Sequence, residues 1–368
     1  MDLSLAQPWL ERLEQAIDME HVRRTSALQR AAFAFEPVPH IPTVIHYPVP
    51  EEEWPRYTFP EIYRDPVKML LHELTDVYEG TQLRDDRLYG IRANYGTGIV
   101  ASMFGAPTVV FDETLPIGQT VTPAALQRIL ESDPPKPHTG LAARALDTVA
   151  LYREALAPYP NLRQAIGSQM LDIQGPFDNA TILWGSTIYY AFYDAPERLY
   201  RLMQLIVDAT LALVEEHRHI DGCPVTEHDG AWKHLGGLCV RNDSSVTLSS
   251  AQYESMVRPH DERLLARWGG WIHFCGKASW WEKLLAIPNL HGINPYQGEF
   301  YDLHGMYERC EAAGIPIIQW MTPLDAASRD RIRTGLSRII YAPDQDTAKR
   351  LLDRLHRTGH ADSEETLS

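Results

Sequence analysis

A chain of 368 residues, 44% hydrophobic and 23% charged, has the length and balance of one large globular domain or two medium ones. Its formal charge of −15 argues against a general nucleic-acid binder, which needs a basic stripe to neutralise phosphates, and disfavours adsorption to anionic membranes. Four cysteines are too few for a disulfide scaffold, and the start MDLSLAQPWLERLEQ has neither a basic nor an apolar leader region, so a cytoplasmic protein is expected.

Residues 8–35 read as an amphipathic helix, with Leu10, Leu13, Ile17, Val22 and Leu28 at roughly helical spacing, and residues 1–40 are expected to form an N-terminal helical extension. The proline-rich EPVPHIPTVIHYPVPEEEWP that follows is too interrupted for a long element. DPVKMLLHEL predicts a helix, and from residue 88 short apolar stretches alternate with helical patterns. YGIRANYG, SQMLDIQG, DGCPVTEHDG, WIHFCG, LHGINPY, GIPIIQWM and SRIIYAP read as strands or strand ends. DAPERLYRLMQLIVDATLALVEEH reads as a helix opened by Asp194 and Glu197 in capping-box spacing. Further helices are expected near 251–268, 279–287, 302–313, 325–335 and 345–356, with a frayed tail over 357–368.

Sustained β-then-α alternation implies a parallel sheet, either open and doubly wound or closed into a barrel. No GxGxxG opens a helix after a strand, and count and length favour a single (β/α)8 barrel over residues 41–356. In such a barrel, chemistry gathers where strands end. Those places here carry Asp172, Gln174 and Asp178; Glu227, His228 and Asp229; Arg241, Asn242 and Asp243; His273 and Cys275; and Asn294, Tyr296, Gln297 and Glu299. Each alone also fits a cap, a turn former or a packed core group. On the strand GGWIHFCG, Trp271, His273 and Cys275 share one face and Ile272 and Phe274 the other, so an imidazole and a thiol converge at the strand end.

Taken as a set, DIQGPFDNATILWGSTIYYAFYDAPERLYRLM, DSSVTLSSAQYESMVRPHDERLLARWGGWIHFCG and LHGINPYQGE resemble the uroporphyrinogen decarboxylase superfamily, over about Tyr89 to Leu355. The resemblance implies a TIM barrel with a deep cleft at the strand C-termini. Its decarboxylase branch grips an anionic tetrapyrrole with N-terminal arginines, whereas FAFEPVPHIPTVIHYPVPEEEWP has none, leaving Arg92 and Arg241. Its cobalamin-dependent methyltransferase branch carries His-x-Cys-Gly and uses zinc to activate a thiol, and HFCG at 273–276 fits that motif. That branch also uses a later cysteine, where SRIIYAPDQD offers Asp344 and Asp346 instead.

The resemblance therefore implies a zinc-dependent, corrinoid-linked methyltransferase with His273 and Cys275 as metal ligands and Glu299 as the third. Asp243 and His228 would orient or deprotonate the acceptor, Asp178 would line the pocket, and Arg92, Asn94, Arg241, Asn294 and Gln297 would bind substrate. A corrinoid-carrying protein and a second copy of the chain are the expected partners. Two alternatives stay open: a metal-free decarboxylase or lyase of a carboxylated substrate such as a tetrapyrrole, and a noncatalytic corrinoid- or tetrapyrrole-binding protein.

Overall fold

The computed structural model describes residues 2–222, 232 and 236–361. The single helix expected over 8–35 is two, Gln7–Ala16 and Met19–Phe33. Asp18 makes the break: its backbone leaves the helical region, and its carboxylate accepts the N–H groups of Glu20 and His21 at 3.0 and 3.1 Å. The DPVKMLLHEL pattern extends into a helix over Pro66–Leu83, capped by Asp65. The Asp194 and Glu197 capping box does not form, because Asp194 ends the preceding helix, Ile188–Asp194, and Ala195 caps Pro196–Asp221 without a side-chain bond.

The strands are β1 (Thr43–His46), β2 (Tyr89–Ile91), the antiparallel pair β3 (Thr108–Val109) and β4 (Ile117–Gly118), β5 (Ile166–Ser168), β6 (Leu238–Arg241), β7 (Gly270–Phe274), β8 (Leu290–Pro295), β9 (Ile317–Trp320) and β10 (Leu336–Tyr341). Of DGCPVTEHDG, Asp221 ends the helix Pro196–Asp221 and Gly222 follows it as the cap, while residues 223–230 lie outside the described residues. The parallel sheet expected from alternation is present, but its ladder runs through six strands in the order β1-β10-β9-β8-β7-β6, with β2 and β5 paired separately. A closed ring of eight hydrogen-bonded strands is not seen among the described residues. The SQMLDIQG stretch shows why: its ladder stops at Ser168, Gln174 at φ 52° leaves the extended path, and the Gln174 amide turns to Asp172 at 2.5 Å. The segment still reaches the six-stranded sheet through a Gly175 N–H bond to the Arg241 carbonyl at 2.7 Å.

Alternation along the strands sorts the core into two layers. Ile45, Val240, Ile272, Phe274, Ile293 and Ile317 are fully buried on the helix-facing side. Val44, Cys239, Trp271 and Ile318 form a separate inner cluster with Phe33 and Trp232. Trp271 and Ile272 thus fall on opposite faces, as the strand pattern requires. No described helix is long and apolar enough to cross a membrane.

Candidate functional site at the strand ends

Strand β7 delivers His273 beside the last residue of β6, since Arg241 and His273 are register partners, and so are His273 and Asn294 of β8. Three consecutive strand ends therefore meet at one imidazole. Cys275 follows at once, and Gly276, at φ 87°, supplies the left-handed turn that takes the chain away from the site.

The hydrogen bonds around His273 decide its tautomer. The Asn294 side-chain amide donates to the Ile318 carbonyl at 2.6 Å, so its Oδ1 is the end that faces His273 Nδ1, at 2.5 Å. His273 Nδ1 must then be the donor, and in the neutral ring Nε2 keeps its lone pair. That Nε2 lies 3.3 Å from Cys275 Sγ and 3.4 Å from Asp243 Oδ1. Asp243 is held in place by the Cys275 N–H, which donates to its Oδ1 at 2.8 Å. The ligand atoms of Asp243, His273 and Cys275 all lie within 4.8 Å of one another. Glu299 does not join them: it is exposed in the short turn Gly298–Phe300. Two further triads reach the same convergence, His40 with Asp86 and His356, and His46 with Asp76 and Glu79.

The electrostatics follow from burial. Burial, helped by the Asp243 charge, pushes the Cys275 thiol up to about 12. Burial also acts on Asp243, but hydrogen bonding and attraction from His273 in its doubly protonated form, with the Cys275 bonds, outweigh it and hold that carboxyl below its ordinary value. Asp178 goes the other way: burial and then the Asp243 charge raise it well above the usual range, against a bond from Ser244 N–H at 2.7 Å. Its Oδ2 is buried without a hydrogen-bond partner.

Beside this cluster opens a cleft of about 630 Å³ lined by Arg92, Asn94, Arg241, Trp271, His273 and Tyr296 among others. Burial would raise Asp172, yet Arg241 and Arg92 pull it below its ordinary value, with guanidinium nitrogens 3.3 and 3.8 Å from its two oxygens. Asn94 donates to Glu73 Oε1 at 3.2 Å and keeps a buried, unpartnered Oδ1. Asn294, expected to bind substrate, is instead fully buried beneath His273 with both ends of its amide engaged. Gln297 sits at the turn, its Oε1 3.9 Å from where a side chain on Gly276 would begin. His228 lies outside the described residues.

Sequence reasoning placed Asp172 at a strand end without giving it a role, and it missed His72, Glu73 and Asp76, which line the cleft from the helix Pro66–Leu83. Their only signal is a polar run on an otherwise apolar helix, which reads equally well as a solvated face.

A methyltransferase from Methanosarcina mazei aligns over 87% of this chain and 93% of its own, with a TM-score of 0.58 at 11% sequence identity. The two proteins share a fold. No family model matches the sequence, and no curated protein does. At 11% identity the likeness speaks for the α/β architecture, and the chemistry has to be argued from the strand ends.

Proposed function

We propose that this protein is a zinc-dependent methyltransferase of the uroporphyrinogen decarboxylase superfamily, moving a methyl group from a corrinoid donor, free or on a carrier protein, to a thiol. The observation that carries the reading is the convergence of an imidazole lone pair, a thiol and a carboxylate at 3.3 and 3.4 Å, with the imidazole tautomer set from behind by Asn294. These donors suit zinc, which favours nitrogen and sulfur ligands, and a set of three leaves a fourth position for substrate. In this reading Asp243 takes the place that the sequence gave to Glu299. Zinc bound there would lower the pKa of an incoming thiol and of Cys275 itself.

The chain's own residues do the rest. Asn294 keeps the imidazole in the ligating tautomer, as outer-shell partners of metal-bound histidines do. Burial and the Asp243 charge raise the Asp178 carboxyl well above the usual range, which favours its neutral form beside Asp243. Arg92 and Arg241 both face Asp172, in a cleft that Glu73 and Asp76 also line, so the acceptor meets a polar wall of balanced charge. That same arrangement weighs against the decarboxylase reading, because the guanidiniums needed for a substrate carboxylate already face one from the protein.

The test is elemental analysis of untagged protein followed by assay. About one zinc per chain should be lost in His273→Ala and in Cys275→Ala. Zinc-loaded protein should demethylate methylcobalamin in the presence of 2-mercaptoethanol, and both variants should lose that activity. Protein that stays metal-free after zinc is offered at neutral pH would sink the reading.

A further inference from the structure

The cleft has a second lobe of about 680 Å³, lined by His46, Tyr47, Glu79 and Tyr341, which shares Arg56, Thr75 and Asp76 with the first. His46 is the last residue of β1, at the same end of the sheet as His273. Its Nδ1 lies 2.8 Å from Glu79 Oε2. Glu79 is surrounded by donors: Tyr47 N–H reaches its Oε1 at 2.5 Å, and the Arg87 guanidinium bonds its Oε2. A carboxylate so placed accepts, so His46 Nδ1 donates and the lone pair of the neutral ring belongs to Nε2.

Behind Glu79 stands a chain of charges almost wholly out of water. Arg87 and Asp85 are 2% and 0% exposed, with Arg87 Nε 2.9 Å from Asp85 Oδ1. The chain is tied to β1 itself: Ile45 N–H donates to Asp85 at 2.8 Å, and Arg87 donates to the Ile45 carbonyl at 2.9 Å. Buried ion networks are a poor source of stability, since desolvation offsets most of their attraction, so a positional role accounts for this one better. What it positions is a ring stacked on Tyr341, with centroids 5.4 Å apart, whose Nε2 has no protein partner among the described residues.

We propose that His46 is a proton acceptor of the cleft, oriented by Glu79, and forms a second reactive pole that takes a proton or hydrogen bond from a hydroxyl, thiol or ammonium group of the ligand. A metal at His46, Asp76 and Glu79 is the weaker use of the same residues, because Arg87 and Tyr47 already occupy the Glu79 oxygens. The inference is independent of zinc and of methyl transfer.

Ring-nitrogen NMR on the intact protein should find neutral His46 protonated at Nδ1 and bare at Nε2. Acylation by diethyl pyrocarbonate, followed peptide by peptide, should reach His46 Nε2. In Glu79→Gln the negative charge behind the ring is lost while an oxygen still accepts from His46 Nδ1 and Arg87, so Nε2 becomes less basic and acylation at His46 slows about tenfold. An Nε2–H tautomer in the wild type, or a His46 that resists acylation, would overturn the proposal even if Glu79→Gln failed to fold. An acylation rate unchanged in a folded Glu79→Gln variant would overturn it as well.

Discussion

Asn294 shows how much one buried side chain can settle. It touches no solvent, yet its amide links the Ile318 carbonyl to His273 Nδ1 and so decides which imidazole nitrogen faces Cys275 and Asp243. With zinc held as proposed, Asn294→Ala should lower its affinity about 10- to 100-fold, measured by competition with a chelator, while the three proposed ligands remain. The same change orphans a buried carbonyl and should lower unfolding stability by about 1 to 3 kcal/mol. Equal zinc affinity in variant and wild type would remove Asn294 from the positioning role. The HxC pair was legible in the sequence because strand alternation puts residues two apart on one face. Asn294 was legible only as a polar residue at a strand end, since its inward orientation depends on β8 lying between β7 and β9.

At the scale of elements, the segment after β6 rests on a buried polar post. Asn242 and Tyr253 both donate to Asp261 Oδ2 at 2.7 Å, directly behind Asp243. Tyr253 opens a π-helical turn, Tyr253–Val257, that precedes the helix Arg258–Trp268. Pro259 offers no N–H to the preceding turn, which accounts for the change of register there. The sequence shows one helix near 251–268 and gives no sign of the post, because the partners come from different elements. Burial lifts the Asp261 carboxyl from 3.8 to about 7. A folded value above the unfolded one means that the carboxyl's contribution to stability is complete below about pH 4 and is lost as pH rises to about 7. Asp261→Asn keeps an acceptor for both donors and removes the titration. The wild type's advantage over it should accordingly shrink by about 2 to 4 kcal/mol across that interval and stay constant above it, in unfolding curves taken from pH 4 to 8. A stability difference independent of pH would show that Asp261 is ionised in the folded protein.

The whole molecule was legible as a parallel α/β chain with polar side chains gathered at its strand ends, because alternation and turn residues are local signals. Closure was not, because it depends on whether short strands complete a ladder: β2 and β5 pair over three residues, apart from the six-stranded sheet. Nor did the N-terminal pattern reveal what its helices hold. Phe33, the last residue of Met19–Phe33, packs edge-on to Trp232 with ring centroids 6.2 Å apart, inside the cluster that contains Val44, Cys239, Trp271 and Ile318. Gln29 and the Ala32 carbonyl tie the same helix to Asp86 and Gly335 at 2.8 and 2.9 Å. Trp271 belongs both to this cluster and to the wall of the cleft, so the N-terminal helices support the site from beneath. Phe33→Ala should then cost about 3 kcal/mol in denaturant unfolding, the usual price of a large core truncation, and should perturb tryptophan fluorescence. A mere appendage would leave both nearly unchanged, because its loss would not reach the inner face of the sheet. Loss of zinc affinity in the folded variant would further show that packing at one end of the strands governs ligand geometry at the other.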